Sequence, residues 1–256
     1  MKMLNIKKVL AEGNASFGTW QMIGNTSISE ILCEAGFDWI TIDMEHTGID
    51  VNDALELIRV ISLTGKVPAV RLSVNDFTLI KRVLDSGAKI IIVPMVMDKD
   101  DAEKAVDAVY YPPKGTRGVG LARAQGYGFG FEEYKRNFVD EAVVVAQIEH
   151  IEAVNNLDEI LRVDGIDATI IGPYDLSGSL GHPGDFARAD FKEALMRYEK
   201  ISKAIGKPMG YHMVEPTKQN VSELIEKGYK FIALGFDSHF IGKQAREALS
   251  NVKDKA

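Results

Sequence analysis

Apolar residues recur along this chain in short blocks, and four of the blocks share one plan. Residues 36–43, 87–94, 165–172 and 228–235 each begin with a glycine that follows a helical pattern. A spacer comes next, then a run rich in β-branched residues. A glycine in that place reads as a left-handed helix C-cap. A short apolar run without alternation reads as a strand buried on both faces, as in parallel sheets. Four more apolar runs lie between these blocks: 16–22, 67–72, 143–149 and 208–213. The count predicts eight strands. Helical periodicity fills the gaps, for example at 53–63, 76–84, 100–109, 191–205 and 217–226. Strict alternation of β and α units argues for a parallel sheet, and eight units argue for closure into a (β/α)8 TIM barrel. An open doubly wound sheet ranks second, because no Gly-x-Gly-x-x-Gly turn opens a helix after the first strand. One stretch breaks the rhythm. The segment from Tyr111 to Gly130 is long and rich in glycine. A loop of that length in a compact domain is usually functional.

Bulk properties narrow the classes without naming one. The chain has 256 residues, the usual length of one α/β barrel, and no composition shift divides it, so residues 1–256 read as one domain. Hydrophobic residues make up 46% and charged residues 26%, ordinary for a globular domain. The net charge is −7, with no basic stripe beside aromatics, which argues against nucleic acid as a partner. No apolar run approaches the ~20 residues of a membrane span. The first residues lack the apolar stretch of a signal peptide. The one cysteine, Cys33, falls within an apolar helical pattern and reads as a core residue of a reduced, cytoplasmic protein.

Chemistry concentrates where strands end, the face at which barrel enzymes work. Gln147-Ile148-Glu149 closes one apolar run, and Gly172-Pro173-Tyr174-Asp175 closes the next. Two carboxylates, Glu149 and Asp175, delivered by neighbouring strands suit a hard divalent cation that wants oxygen ligands. Each acid alone could instead cap the helix that follows. Period two puts Gln147 and Glu149 on one face. Strand two ends in Asp43-Met44-Glu45-His46 and strand three in Arg71. Arg71 could hold an anion or simply pair with a surface acid. His46 could act as a base or merely cap or pack. Trp20 reads more readily as core than as contact, and Arg117 and Arg123 could serve only to order their own loop. Lys89, Lys207 and Lys230 stand at strand beginnings, the wrong end for a Schiff base.

At these residues the chain resembles a known family. Phe37-Asp38-Trp39 running into Asp43-Met44-Glu45-His46, Pro68-Ala69-Val70-Arg71, Leu84-Asp85-Ser86-Gly87-Ala88, Tyr111-Pro112-Pro113, Arg117-Gly118, Gln147-Ile148-Glu149 and Gly172-Pro173-x-Asp175-Leu176-Ser177 are similar, in order, to the metal-dependent class II pyruvate aldolases of the HpcH/HpaI type. The resemblance implies a (β/α)8 barrel whose last helix is exchanged between subunits, usually in a hexamer built as a trimer of dimers. It implies retro-aldol cleavage of a 4-hydroxy-2-oxo acid to pyruvate and an aldehyde through an enolate, in sugar-acid or aromatic catabolism. Glu149 and Asp175 match the ligands of a Mg2+, Mn2+ or Co2+ ion. Arg71 matches the arginine that holds the 2-oxo acid. Gln147, Gly172 and Pro173 match pyruvate contacts, and His46 matches the histidine of the proton relay. That histidine is assisted in the family by an aspartate matching Asp85. Here Asp85 closes a helix just before strand four, so it reaches an active site only in another subunit. The chain departs from the family at Tyr174 and at His212, both expected at the mouth among substrate contacts with Trp20. The acceptor aldehyde, or the relay itself, could differ accordingly. Two other readings share the site: a lyase or decarboxylase acting on oxaloacetate, and a non-catalytic barrel that binds a 2-oxo acid.

Overall fold

The computed structural model describes residues 3–253, and their strands close into a barrel in sequence order. The strands are β1 (Ser16–Gln21), β2 (Trp39–Asp43), β3 (Val67–Arg71), β4 (Ile90–Val93), β5 (Val143–Ile148), β6 (Ala168–Ile171), β7 (Met209–Met213) and β8 (Tyr229–Phe236). Every pair is parallel, and β1 closes on β8. The open doubly wound alternative is therefore excluded. Each of the eight expected strands is present, within a residue or so of its expected ends.

The four repeat glycines have φ of +100° (Gly36), +111° (Gly87), +112° (Gly165) and +94° (Gly228). This is the left-handed backbone that the repeat implied, and it turns each chain segment back toward the barrel floor. Helix starts carry ordinary caps. Asp50 accepts from the amides of Asn52 and Asp53 at the head of Val51–Leu63, and Asp98 caps Lys99–Val109.

Period-two alternation sorts the apolar side chains into two layers. Trp39, Val67, Ala69, Ile90, Ile92 and Val145 belong to a cluster inside the barrel. Ile40, Val70, Ile91 and Val144 belong to the larger cluster between sheet and helices. Positions continuing the inner set toward the strand ends face the barrel mouth: Asp43, Arg71, Gln147, Gly172 and His212. Trp39 stacks on Phe231 at 4.1 Å within the barrel. A Cβ on Gly18 would lie 2.0 Å from the Trp39 ring, so β1 must carry glycine there.

The lysines at strand starts are taken up away from the mouth: Lys89 Nζ lies 2.6 Å from Glu141, and Lys207 Nζ donates to the Ile166 carbonyl. The 111–130 segment folds against the helix Phe77–Ser86 at the opposite end of the barrel. Arg117 is 1% exposed, and its Nη2 lies 2.6 Å from Asp85. Arg123 Nη1 donates to the Ser86 carbonyl at 2.9 Å. Both arginines thus order this loop, and the loop lines none of the mouth of its own barrel.

Candidate active site

The mouth holds a cavity of about 410 Å3. Its wall includes Trp20, His46, Arg71, Gln147 and His212, together with Gly172, Pro173, Tyr174 and Asp175. Ten of the eleven residues singled out from sequence, all but Asp85, fall at this one end, with Glu149 just behind the wall at 3% exposure. Asp85 lies at the far end, where Arg117 and Gln125 donate to its Oδ1 at 2.6 and 3.0 Å.

Arg71 is held rigidly. Its Nε and Nη2 donate to Asp43 Oδ1 and Oδ2 at 2.9 and 2.6 Å. Nη1 lies 3.1 Å from Glu45 Oε2. The β2–β3 register sets Asp43 directly beside Arg71, which is why the pair forms. Asp43 is fully buried and Arg71 is 12% exposed, so neither is a surface ion pair. A guanidinium has five N–H donors. Two are engaged by Asp43, which leaves donors for an anion in the cavity. Glu45 Oε2 is buried without a hydrogen bond. Burial pushes the Glu45 carboxyl above the usual carboxylate range, against the pull of Arg71.

Glu149 leaves the end of β5 and is reached by two donors. The Met95 amide donates to Oε1 at 2.7 Å, and Gln147 Nε2 donates to Oε2. Met95 holds that amide in place with a φ of +50°, an uncommon backbone for a side-chain-bearing residue. Burial raises the Glu149 pKa, the two donors oppose the rise, and the negative charge of Asp175 adds to it. Gly172 approaches so closely that a Cβ there would lie 3.0 Å from Glu149 Cβ. Asp175 is not at a strand end as expected. β6 stops at Ile171, and Pro173 starts the helix Pro173–Ser179, whose first turn carries Asp175. The capping alternative fails for both acids. His150 caps the helix after Glu149, and no side chain caps the helix that holds Asp175. Among the described residues no group of three His, Cys, Asp or Glu could hold a metal. A cation here has at most two ligands of those four residue types.

His46 is half exposed, with Nε2 3.8 Å from Glu45 Oε2. Its amide is directed at Asp43 Oδ1 at 3.4 Å. Trp20 is both core and contact: it is 2% exposed, packs edge-on against Trp39, and lines the cavity. Sequence reasoning gave Asp43 and Glu45 no task of their own. Inward-facing acids on the strand beside Arg71 were the available signal. It also passed over Asp237, which is 2% exposed and accepts from the amides of Met22 and Ile23, tying the loop after β1 to the start of the last helix.

Residues 16–243 match the family described as HpcH/HpaI aldolase/citrate lyase. The chain belongs to that family. Among its relatives is a 2-dehydro-3,6-dideoxy-6-sulfogluconate aldolase of Pseudomonas putida, 39% identical over 96% of each chain. Another is a 4-hydroxy-2-oxovalerate aldolase of Rhodococcus jostii, 38% identical over 94% of this chain and 92% of the relative. A solved HpcH/HpaI aldolase/citrate lyase family protein of Burkholderia cenocepacia superposes with a TM-score of 0.90 at 31% identity, covering 98% of this chain and 100% of that one. The resemblance drawn from the sequence motifs therefore holds, as does the reading as a lyase of the aldolase class. Among the described residues no helix is long and apolar enough to cross a membrane.

Proposed function

We propose that this HpcH/HpaI family member cleaves a 4-hydroxy-2-oxo acid reversibly to pyruvate and an aldehyde, using a divalent cation held between Glu149 and Asp175. One observation carries the proposal: a buried carboxylate set against a second carboxylate, with an anchored guanidinium in the same cavity. A carboxylate at 3% exposure beside a second negative charge favours a cation. An all-oxygen pair suits Mg2+, Mn2+ or Co2+, with water and substrate completing the shell. Such an ion, when bound, supplies Lewis-acid polarisation of the 2-oxo acid.

The chain's own residues do the rest. Arg71 binds the anionic end of the 2-oxo acid and meets the negative charge that develops as the C3–C4 bond breaks. Asp43 keeps the guanidinium oriented. Gln147 and the Gly172-Pro173 backbone form the wall against pyruvate. His46 removes the proton of the C4 hydroxyl in cleavage and returns it in addition. Asp85 assists only if a neighbouring subunit brings its lower end to His46. The last helix, Asp237–Lys253, supports such an assembly. Only Asp237 in it is buried, while Ile241, Leu249 and Val252 are 51%, 55% and 68% exposed. An apolar stripe of that kind fits a second copy of the chain, and we assign the protein a cytoplasmic hexamer with exchanged helices, at work in sugar-acid or aromatic catabolism.

The test is pyruvate release from 4-hydroxy-2-oxo acids by chelator-treated protein, before and after Mn2+ is added. Activity that needs the metal and disappears in Glu149→Gln and Asp175→Asn supports the reading. Full activity in metal-stripped protein, or trapping of a lysine imine by borohydride and pyruvate, refutes it.

A further inference from the structure

His212 has an arrangement that the enolate chemistry does not use. On β7, Met209 packs in the layer between sheet and helices, and Tyr211 packs against that layer. Alternation therefore turns His212 into the barrel mouth. Its ring is fixed on three sides. Trp20 stacks on one face at 4.4 Å and 10°. Phe236 meets it edge-on at 6.2 Å. Nε2 lies 3.1 Å from the Gly235 carbonyl oxygen, and Thr19 Oγ1 donates to that same carbonyl at 3.2 Å.

A carbonyl oxygen only accepts, so Nε2 must carry the proton. Burial, with the charge of Arg71 nearby, lowers the imidazole pKa to about 4, so the ring is neutral at physiological pH. Nδ1 is then a bare acceptor. No hydrogen bond reaches it within the described residues, yet His212 lines the cavity. Nδ1 is not one of the buried atoms left without a partner, so it opens onto the cavity, where a bound hydroxyl can take the place of water against it. Much of the remaining wall is apolar, through Met22, Ile171, Val214 and Phe236, and Tyr174 brings a hydroxyl to the same cavity. Arg71 is the one lysine or arginine among the lining residues, so a second anionic group finds no cation from this chain.

We infer that His212 accepts a hydrogen bond at Nδ1 from a hydroxyl on the carbon chain being cleaved or joined, so that the enzyme favours hydroxylated substrates over their deoxy counterparts. This inference rests on the aldolase reading. The hydroxyl has two sources. It belongs either to the 2-oxo acid, as on C3 of hydroxypyruvate, or to the aldehyde, as on the α-carbon of glycolaldehyde.

Three pairings with Mn2+ present separate them: pyruvate with propanal, pyruvate with glycolaldehyde, and hydroxypyruvate with propanal. The readout is kcat/KM for each hydroxylated pairing divided by that for pyruvate with propanal. Comparing this ratio between variants cancels the intrinsic reactivity of the reagents. His212→Leu should lower one ratio by about 10-fold, the scale of a single net hydrogen bond. The ratio that falls identifies the source. His212→Asn keeps an acceptor near the place of Nδ1 and should retain most of the preference. His212→Met gives the same comparison if the leucine variant does not fold. Ratios equal to those of the wild type in His212→Leu and His212→Met overturn the inference while the aldolase reading stands. No carbon–carbon product from any pairing overturns both.

Discussion

Replacing Arg71 by alanine should cost both activity and stability, and the two losses come from different partners. Arg71 Nε and Nη2 hold the two oxygens of Asp43, a carboxylate with no exposure. Without them Asp43 keeps two backbone contacts, the amides of Glu45 at 3.0 Å and His46 at 3.4 Å. Breaking a buried pair from one side typically costs about 3–5 kcal/mol. Arg71 is 12% exposed to a cavity that admits water, so the low end, about 3 kcal/mol, applies. At about 2–4 °C per kcal/mol for a chain of this size, Tm should fall by roughly 6–12 °C. Thermal unfolding in metal-free buffer measures this without ligand linkage. The loss of charge stabilisation should lower kcat/KM at least ~100-fold in a pyruvate-release assay. A second substitution separates the two effects. Asp43→Asn in the Arg71→Ala background removes the orphaned charge, so Tm should recover in large part while kcat/KM stays low. Arg71→Lys should also recover stability and remain poor in activity, because an ammonium cannot make the paired planar contact. An Arg71→Ala enzyme near wild type in kcat/KM would place the 2-oxo acid elsewhere. Activity restored by Asp43→Asn would mean that Arg71 acts only on Asp43 and not on the substrate.

His46→Ala should cripple retro-aldol cleavage by ~10² to 10⁴-fold while leaving Mn2+ binding intact. Oxaloacetate decarboxylation, which needs no C4 hydroxyl deprotonation, should fall much less; equal losses in both assays reassign His46 to positioning. Glu149 must be ionised to hold a cation, and burial raises its pKa above the usual carboxylate range. Mn2+ affinity should therefore be flat above that raised value and weaken as pH falls through it, with protons released on binding only in mildly acidic buffer. Calorimetry in buffers of different ionisation enthalpy reads the protons, and the absence of any release in mild acid contradicts the raised value. Gly18→Ala would set a Cβ 2.0 Å from the Trp39 ring inside the barrel. Overpacking of this kind costs about 1–3 kcal/mol or more, and a wild-type urea midpoint would show that Trp39 has room to move.

The sequence by itself determined the barrel. Strand and helix periods, the glycine caps at Gly36, Gly87, Gly165 and Gly228, and apolar runs without alternation are local properties, and local backbone sterics and burial periods fix them. The same periods carried Gln147, Glu149, Arg71 and His46 to one end, because a strand's direction and a side chain's parity are readable along the chain. Only the tertiary structure decided what those residues touch. The β2–β3 register puts Asp43 against Arg71, and register follows from the packing of the whole sheet, which no short window contains. Pro173 turned Asp175 into a helix where a strand end was expected. The Met95 amide reaches Glu149 across 54 positions of sequence. Trp20, Gly235 and Phe236 converge on His212 from strands at both ends of the chain. Contacts of this range depend on closure of the barrel, so the grouping of the candidate residues at one barrel end was legible in the sequence while their geometry waited on the fold.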